Sequence, residues 1–251
     1  MSGHSRWSTI KRKKAAADAK KGQIFTKIIR EIIVAAKAGG GDPDSNSRLR
    51  TIIEKAKAAN MPLENIKKAI QKGTGELPGV SYEEITYEGY GPGGVALLIK
   101  VTTDNKNRSA ADIRTILSKN GGSMASVGST SWQFEQKGYI SVPKEEINEE
   151  ALMEIVLDAG AQDIQTTESS YDVVTEPANF EKVKKALDDK KIKYTVAEIT
   201  MIPKSYVKLE GKDAEQMLKL MNALDENDDV QNVYANFDIP QEVMDKLSEN
   251  I

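Results

Sequence analysis

The sequence predicts an α+β protein: a basic N-terminal domain of three helices, followed by two ferredoxin-like βαββαβ domains, the last one inserted in the middle one. Apolar residues recur at helical spacing up to residue 75, and from residue 80 strand, helix and strand patterns alternate in four units. The sign of the net charge changes at the same point. We therefore expect domains at residues 1–79, at residues 80–135 together with 206–251, and at residues 136–205.

Charge is distributed unevenly along the chain. Residues 1–75 contain 17 Lys and Arg against 6 Asp and Glu, whereas the remaining residues contain 18 basic and 32 acidic side chains. The formal net charge of −3 therefore conceals a dipolar molecule. A basic segment of this kind indicates a polyanionic partner, most commonly nucleic acid. The acidic remainder limits indiscriminate binding and keeps the body of the protein soluble.

The composition argues against several functional classes. The chain has no cysteine, which excludes disulfides, thiol catalysis and cysteine–zinc sites. Its one histidine, His4, cannot by itself build a Ser-His-Asp triad or a histidine metal site. Apolar runs such as residues 95–99 are far shorter than the ~20 residues that span a bilayer. We expect a cytoplasmic protein that is not an enzyme and uses no cofactor, metal ion, membrane or small-molecule substrate; a mitochondrial presequence is the alternative interpretation of the N-terminus.

Residues 1–21 form a basic arm with only two large apolar side chains, Trp7 and Ile10. Such a segment buries too little apolar surface to fold alone, so we expect it to become ordered against phosphate. A solvated charged tail is the alternative. Two interpretations of Trp7 also stay open: stacking on an unpaired base, and packing on the nearest helix.

Three amphipathic helices follow the arm. The first is predicted over residues 23–38 and ends at the glycines of residues 39–41. The second is started by residues 42–44 (DPD), and the third begins at Pro62 and ends at Gly73. Each helix carries an apolar stripe on one side and basic side chains on another. The stripes predict the core of a small bundle with basic outer faces.

Four strand–helix–strand units are predicted after residue 80. The first contains a strand at residues 94–102, a helix opened by a capping box at Ser109, and a strand at residues 129–135. Two units make one ferredoxin-like domain. Only residues 168–170 join the second and third units, which suits a hairpin inside one domain. We therefore favour nesting, with the first unit paired to the fourth; two domains in series are the alternative. The other three units are predicted at residues 139–167, 171–200 and 206–237.

Two loops deserve comparison with known phosphate-binding motifs. Residues 89–94 are rich in glycine, but they precede a strand and lack a P-loop lysine, so we interpret them as a rigid turn. Residues 103–108 offer Lys106 and Arg108 to a nucleic-acid backbone, or form a polar connection. The acidic run at residues 225–229 lacks EF-hand spacing and is interpreted as a solvated turn. The candidate nucleic-acid-binding residues are His4, Arg6, Trp7, Lys11, Arg12, Lys13, Lys14, Lys20, Lys21, Lys27, Arg30, Arg48, Arg50, Lys106 and Arg108.

Short motifs along nearly the whole chain resemble one family. They are residues 3–7 (GHSRW), 13–16 (KKAA), 27–31 (KIIRE), 39–43 (GGGDP), 55–62 (KAKAANMP), 87–94 (YEGYGPGG), 103–105 (TDN) with 107–108 (NR), and 233–239 (VYANFDI). By this combination the chain resembles the YebC family, which includes a mitochondrial translational activator of cytochrome c oxidase. The resemblance implies a three-domain fold with the third domain inserted in the second, in agreement with nesting.

The resemblance also implies a non-enzymatic regulator of gene expression that associates with nucleic acid. Some members are described as DNA-binding transcriptional regulators, and others look like translation factors that relieve ribosome stalls at proline-rich stretches. No recognition helix stands out in the sequence, and a basic arm on a compact body is typical of ribosome-associated factors. We therefore expect a monomeric, ribosome-associated translation factor that binds ribosomal RNA. A DNA-binding transcriptional regulator and a protein-interaction scaffold are the alternatives.

Overall fold

The structure is a computed structural model that describes residues 18–240 and residue 243. The side chains of Lys20 and Lys21 are not described, although their backbone is helical. Trp132–Tyr206 form one compact unit, and the described residues on either side of them form a second, larger unit. Seven candidate residues lie outside the described residues: His4, Arg6, Trp7, Lys11, Arg12, Lys13 and Lys14.

Three helices, here called the helical module, begin the larger unit. They are α1 (Asp18–Gly39), α2 (Ser47–Ala58) and α3 (Leu63–Thr74). Their apolar stripes pack together as the spacing predicts, and burial of these side chains stabilises the module. The resulting core includes Ile28, Ile32, Leu49, Ile66 and Ala69.

Two helix ends differ from the prediction. Helix α1 is already helical at Asp18, because one glycine at Gly22 costs only ~1 kcal/mol and does not end a long amphipathic helix. Helix α3 continues past Gly73, where an added Cβ would lie 2.6 Å from the carbonyl oxygen of Ile33. Gly73 therefore permits close packing of α3 on α1. Gly75, with a φ of 84°, closes the helix instead.

Asn46 connects the end of α1 to the start of α2. Its side-chain oxygen accepts from the N–H of Leu49 at 3.0 Å, which caps α2. Its side-chain nitrogen donates to the carbonyl oxygens of Ala35 at 2.9 Å and Gly40 at 2.8 Å. One buried amide thus satisfies backbone groups of two helices.

Strands and helices alternate after the module, so the α+β class with three N-terminal helices and two sheet-containing domains is confirmed. Among the described residues, no helix combines the length and apolarity that crossing a bilayer requires. The elements are β1 (Glu83–Tyr90), β2 (Ala96–Thr103), α4 (Lys106–Lys119), β3 (Ser123–Ala125), β4 (Phe134–Pro143), α5 (Glu149–Asp158), β5 (Ala161–Thr166), β6 (Ser170–Thr175), α6 (Phe180–Asp189), β7 (Val196–Pro203), β8 (Val207–Lys208), α7 (Gly211–Asp225), β9 (Val230–Ala235) and β10 (Phe237–Asp238).

The middle domain completes the larger unit. Its antiparallel sheet has the order β3-β1-β2-β9, and β8 and β10 form a short parallel pair. The glycine-rich turn packs on α7, since an added Cβ at Gly91 would lie 2.8 Å from Sδ of Met217. The helical module and the middle domain share one unit, so their separation at residue 79, like the other predicted boundaries, stays a prediction. The core includes Ile99, Leu117, Met217, Leu220 and Phe237.

A buried carboxylate on β1 shapes the loop between β3 and β4. Glu88 accepts from the backbone N–H groups of Gly128 at 2.7 Å, Thr130 at 2.6 Å and Ser131 at 2.9 Å. Burial alone would raise the pKa of Glu88, but these hydrogen bonds outweigh it and lower the pKa to about 2. The tip of the same loop carries Val127, whose side chain is exposed.

Trp132–Tyr206 contain the inserted sheet. Their elements follow the predicted succession β4-α5-β5-β6-α6-β7, and the antiparallel sheet has the order β5-β6-β4-β7. The two helices pack on the sheet over a core of their own. The core includes Ile140, Leu152, Val156, Val173 and Leu187.

The predicted strand at residues 129–135 is wrong. Ser131–Gln133 form a 3₁₀ turn, and β4 starts at Phe134 and continues into the inserted sheet. The prediction placed Gly138 in the crossing between two domains, after residue 135 and before residue 139, but this glycine lies inside β4. An added Cβ there would lie 2.8 Å from the ring of Phe180, so the glycine permits close packing of α6.

The middle domain also departs from the predicted βαββαβ succession. It contains β1, which pairs with β2 from Glu83↔Thr103 to Tyr90↔Ala96 and was absent from the predicted strands. With β1 beside β2, the sheet reaches four strands without the strand that was wrongly assigned to it.

Candidate nucleic-acid interface

The first turns of α1 contact the C-terminal end of α7. Nζ of Lys27 donates to the carbonyl oxygen of Asp225 at 2.6 Å, and Nε2 of Gln23 donates to that of Glu226 at 2.6 Å. Helix α7 has no basic residue in its last turn, so α1 supplies donors to carbonyl groups at its negative end. Lys27, a candidate for nucleic-acid binding, is therefore already hydrogen-bonded to another part of the protein.

Arg30 lies one helical turn further along the same side of α1. Its guanidinium donates to the carbonyl oxygen of Asp228 at 2.5 Å and to Oδ1 of Asp229 at 2.7 Å. The guanidinium carbon also lies 5.4 Å from the ring centroid of Tyr82. The side chains of the Arg30–Asp229 pair are only 13% and 6% exposed. Arg30 is thus the largely buried partner of an ion pair, although the sequence pattern marked it as a phosphate ligand.

Asp229 joins α1 to the first turns of α4. While Oδ1 accepts from Arg30, Oδ2 accepts from the hydroxyl of Ser109 at 2.6 Å, from Arg108 at 3.0 Å and from the hydroxyl of Thr103 at 3.2 Å. Burial alone would raise the pKa of Asp229. The donors from Ser109 and Arg108 and the charge of Arg30 outweigh burial, so the pKa lies below its ordinary value.

The first turn of α4 holds the next two candidates, Lys106 and Arg108. The helix begins at Lys106, with Asn105 as its N-cap accepting from the N–H of Arg108 at 3.1 Å. The predicted cap, Ser109, is wrong: it lies inside the helix and is buried, because its hydroxyl is drawn to Asp229. Arg108 is nearly half exposed and forms ion pairs with the carboxylates of Asp104 and Asp229. Lys106 is exposed.

The candidates on α2 are exposed and differ in their partners. Arg48 makes a two-point ion pair with Glu84 of β1, and both side chains are about half exposed. Arg50 donates to the carbonyl oxygen of Pro43 at 3.3 Å, a weak contact that leaves its charge facing solvent. Arg50 therefore stays available to a phosphate more readily than Arg48.

Three lysines that were left out of the candidate set lie on the solvent side of α3. Lys67, Lys68 and Lys72, here called the α3 lysines, are all exposed. Lys68 makes only a long ion pair of 3.7 Å with Glu64, itself exposed. Helical spacing already placed them opposite the buried stripe, and this was the signal that could have selected them. The α3 lysines thus present more accessible positive charge than Lys27.

Comparisons with known proteins cover nearly the whole chain. The family model of the TACO1/YebC protein N-terminal domain matches residues 5–76, and that of the TACO1/YebC second and third domain matches residues 82–237. A "probable transcriptional regulatory protein" of Syntrophus aciditrophicus is 59% identical over 249 residues, covering 99% of this chain and 100% of the relative. A relative of the same description from Geobacter sulfurreducens is 58% identical over 247 residues, covering 98% and 100%.

A solved structure agrees with these matches. The crystal structure of a conserved hypothetical protein from Aquifex aeolicus has a TM-score of 0.79 and 48% sequence identity, covering 90% of this chain and 94% of that one. Sequence and fold therefore lead to the same assignment: the chain belongs to the TACO1/YebC family.

Proposed function

We propose that this protein is a non-enzymatic, RNA-binding regulator of translation that acts on the ribosome and relieves stalling. The observation that carries the proposal is the exposure of the α3 lysines, Lys67, Lys68 and Lys72, on a module whose other helix face contacts the protein itself. Lysine is a flexible point charge that suits phosphate groups. The interface would thus consist of α3, Arg50 and the basic arm.

The chemistry of this surface favours binding without base recognition. Direct readout of DNA relies on Asn, Gln and Arg side chains that reach base edges. Helix α2 contains no Asn or Gln, and of its two arginines Arg48 is paired with Glu84, which leaves Arg50 to face solvent. Asn65 and Gln71 of α3 are only partly exposed. Phosphate contacts position a protein without reading sequence. Such contacts are sufficient on a ribosome, where the folded RNA supplies a fixed site.

The acidic remainder supports the same division of labour. The chain after residue 75 carries 32 acidic and 18 basic side chains, which repel a phosphate backbone. Like-charge repulsion would keep the two sheet-containing domains off the RNA backbone while the module binds it. These domains are then free to contact protein or other parts of the ribosome.

A transcriptional regulator is the second candidate, and the names of the relatives favour it. The proteins of Syntrophus aciditrophicus and Geobacter sulfurreducens both carry the description "probable transcriptional regulatory protein". A regulator of this kind would prefer its duplex site over random DNA by ~4–10 kcal/mol. A ribosome-bound factor would show no such preference.

The deciding experiment compares ribosome co-sedimentation with duplex-DNA binding at physiological salt. We expect the wild type to sediment with ribosomes and the triple variant Lys67→Gln, Lys68→Gln, Lys72→Gln to do so weakly. The log–log salt slope for ribosomal RNA should flatten by up to roughly 2, at ~0.7 for each lost contact with a single strand. The inserted domain offers a charge-matched control variant with three exposed lysines replaced: Lys182→Gln, Lys185→Gln and Lys190→Gln.

Each outcome has a clear meaning. Equal losses in the triple variant and its control would show that net charge alone matters and that α3 is no interface. Binding to one DNA duplex far above random DNA, without ribosome co-sedimentation, would make transcription the function.

A further inference from the structure

A single carboxylate connects two parts of the larger unit that lie far apart in sequence. Oδ1 of Asp229 faces the helical module through Arg30, and Oδ2 faces the start of α4 through Ser109 and Arg108. Both Arg30 and Asp229 are largely buried. Gln23, Lys27 and Arg30 of α1 also donate to the backbone carbonyl oxygens of Glu226, Asp225 and Asp228, and Asp229 adds a side-chain carboxylate to these contacts.

The surroundings of this ion pair make it rigid. Arg30 has the carbonyl oxygen of Asp228 and the ring of Tyr82 as further partners. Gln23 and Lys27 extend the same contact along α1. Breaking a buried pair from one side leaves an uncompensated charge, and this is strongly unfavourable. A phosphate group would therefore have to displace several contacts together before it reached Arg30.

We propose that Asp229 is a positioning residue, which fixes the orientation of the helical module on the middle domain and so sets where the middle domain lies when the module is bound to RNA. This inference rests on the proposed function for its consequence, but not for the geometry of the contact. Asp229 touches no RNA itself. Its role is to transmit the position of the anchored module through Arg30 to the rest of the unit.

A competing role for the same contact makes an opposite prediction. If the carbonyl and carboxylate oxygens of residues 225–229 competed with phosphate groups for Lys27 and Arg30, they would keep these two side chains from RNA. Weakening them would then strengthen RNA binding and steepen its salt dependence. The burial of Arg30 and the number of its partners favour a contact that fixes the orientation of the helical module.

The test uses the full chain with Asp229→Asn and a matched control, Asp228→Asn. Both changes remove one negative charge, but the side chain of Asp228 is exposed and only its backbone carbonyl contacts Arg30. Backbone ¹⁵N relaxation, measured without RNA, compares the tumbling of the module with that of the middle domain. We expect one common correlation time in the wild type and in Asp228→Asn, and two in Asp229→Asn.

Two further measurements use ribosomal RNA and a reporter message with a proline-rich stretch. RNA affinity of Asp229→Asn should stay within about twofold, because no phosphate contact is lost. Relief of stalling should fall about tenfold if the competent orientation falls to about a tenth of the population. Because the chain has no cysteine, Gln23→Cys and Glu226→Cys can be joined by a short bismaleimide linker, and this link should restore activity to Asp229→Asn.

The outcomes separate the inference from the proposed function. Tighter RNA binding with a steeper salt slope in Asp229→Asn would reject the positioning role and favour competition with phosphate. A single correlation time in Asp229→Asn would reject the positioning role too. Should that variant unfold, Arg30→Gln breaks the same bond from the module side and takes its place. Two correlation times in Asp229→Asn, with no RNA binding by any form of the protein, would support the positioning role and reject the proposed function.

Discussion

Two helices of one module carry basic side chains at similar spacing and use them differently. On α1, Lys27 and Arg30 are partly or largely buried and donate to α7 and the loop after it. On α3, the lysines are exposed to solvent. The helices differ in what the fold places opposite them. A basic helix face therefore indicates a nucleic-acid surface only where the protein supplies no oxygen atoms of its own to neutralise it.

Removing Arg30 should break this comparison most strongly. At pH 7, Arg30→Ala should lower the free energy of unfolding by about 3 kcal/mol, because it leaves the buried Asp229 with less compensating charge. Lys68→Ala, which removes an exposed charge on α3, should change it by less than about 0.5 kcal/mol. Urea unfolding monitored by circular dichroism measures both. Equal small losses would mean that the Arg30 pair behaves like a surface charge.

Two buried carboxylates of the larger unit sharpen the comparison. Glu88 accepts from backbone N–H groups, whereas Asp229 accepts from a serine hydroxyl and two arginines. The pKa of Glu88 is lowered from 4.5 to about 2 by N–H donors, so Glu88 stabilises the fold above its unfolded pKa. That stabilisation, about 3 kcal/mol, should be lost as the pH falls from about 5 to about 2. The pKa of Asp229 is also lowered and adds to the loss in acid.

The matching variant is Glu88→Gln. Its free energy of unfolding should be lower at pH 7 and should depend less on pH between about 5 and about 2 than that of the wild type. Glu83→Gln, on the same strand but exposed, is the control and should keep the wild-type dependence. An unchanged pH profile for Glu88→Gln would contradict the lowered pKa.

A much smaller effect than that of Arg30→Ala is expected for Arg48, whose ion pair with Glu84 also connects the module to the middle domain. Both side chains are about half exposed, at 48% and 44%. Arg48→Gln should therefore lower the free energy of unfolding by only ~0.2–1 kcal/mol in a thermal or urea melt. A loss as large as that for Arg30→Ala would show that the second contact holds the module equally firmly.

Sequence periodicity predicted the helices well because their buried stripes follow a local pattern. Strand β1 escaped prediction, since Glu83, Glu84, Glu88 and Gly89 belong to residue types that are rare in strands. Glu88 is tolerated there because loop N–H groups satisfy its carboxylate. The crossing predicted at residues 136–138 was wrong in the opposite way, because Gly138 lies inside β4 and permits close packing of α6 instead of ending a strand.

The candidate site was predictable only in its charge. Clustered lysines and arginines are visible in the sequence, but the partner of each is not. Arg30 and Asp229 are 199 residues apart, so no local pattern could have shown that this cation is already paired. The acidic run at residues 225–229 was interpreted as a solvated turn, yet Asp229 is buried and contacts α1, β2 and α4.

The way Glu88 holds the loop between β3 and β4 has a practical consequence for labelling. The carboxylate binds backbone N–H groups, and these are the same whatever side chain occupies the tip. Val127 at the tip is 92% exposed, and the chain contains no cysteine. Val127→Cys would therefore give a single, accessible thiol on a loop whose shape does not depend on the residue replaced. A fluorophore there would report on the environment of the middle domain in a ribosome complex.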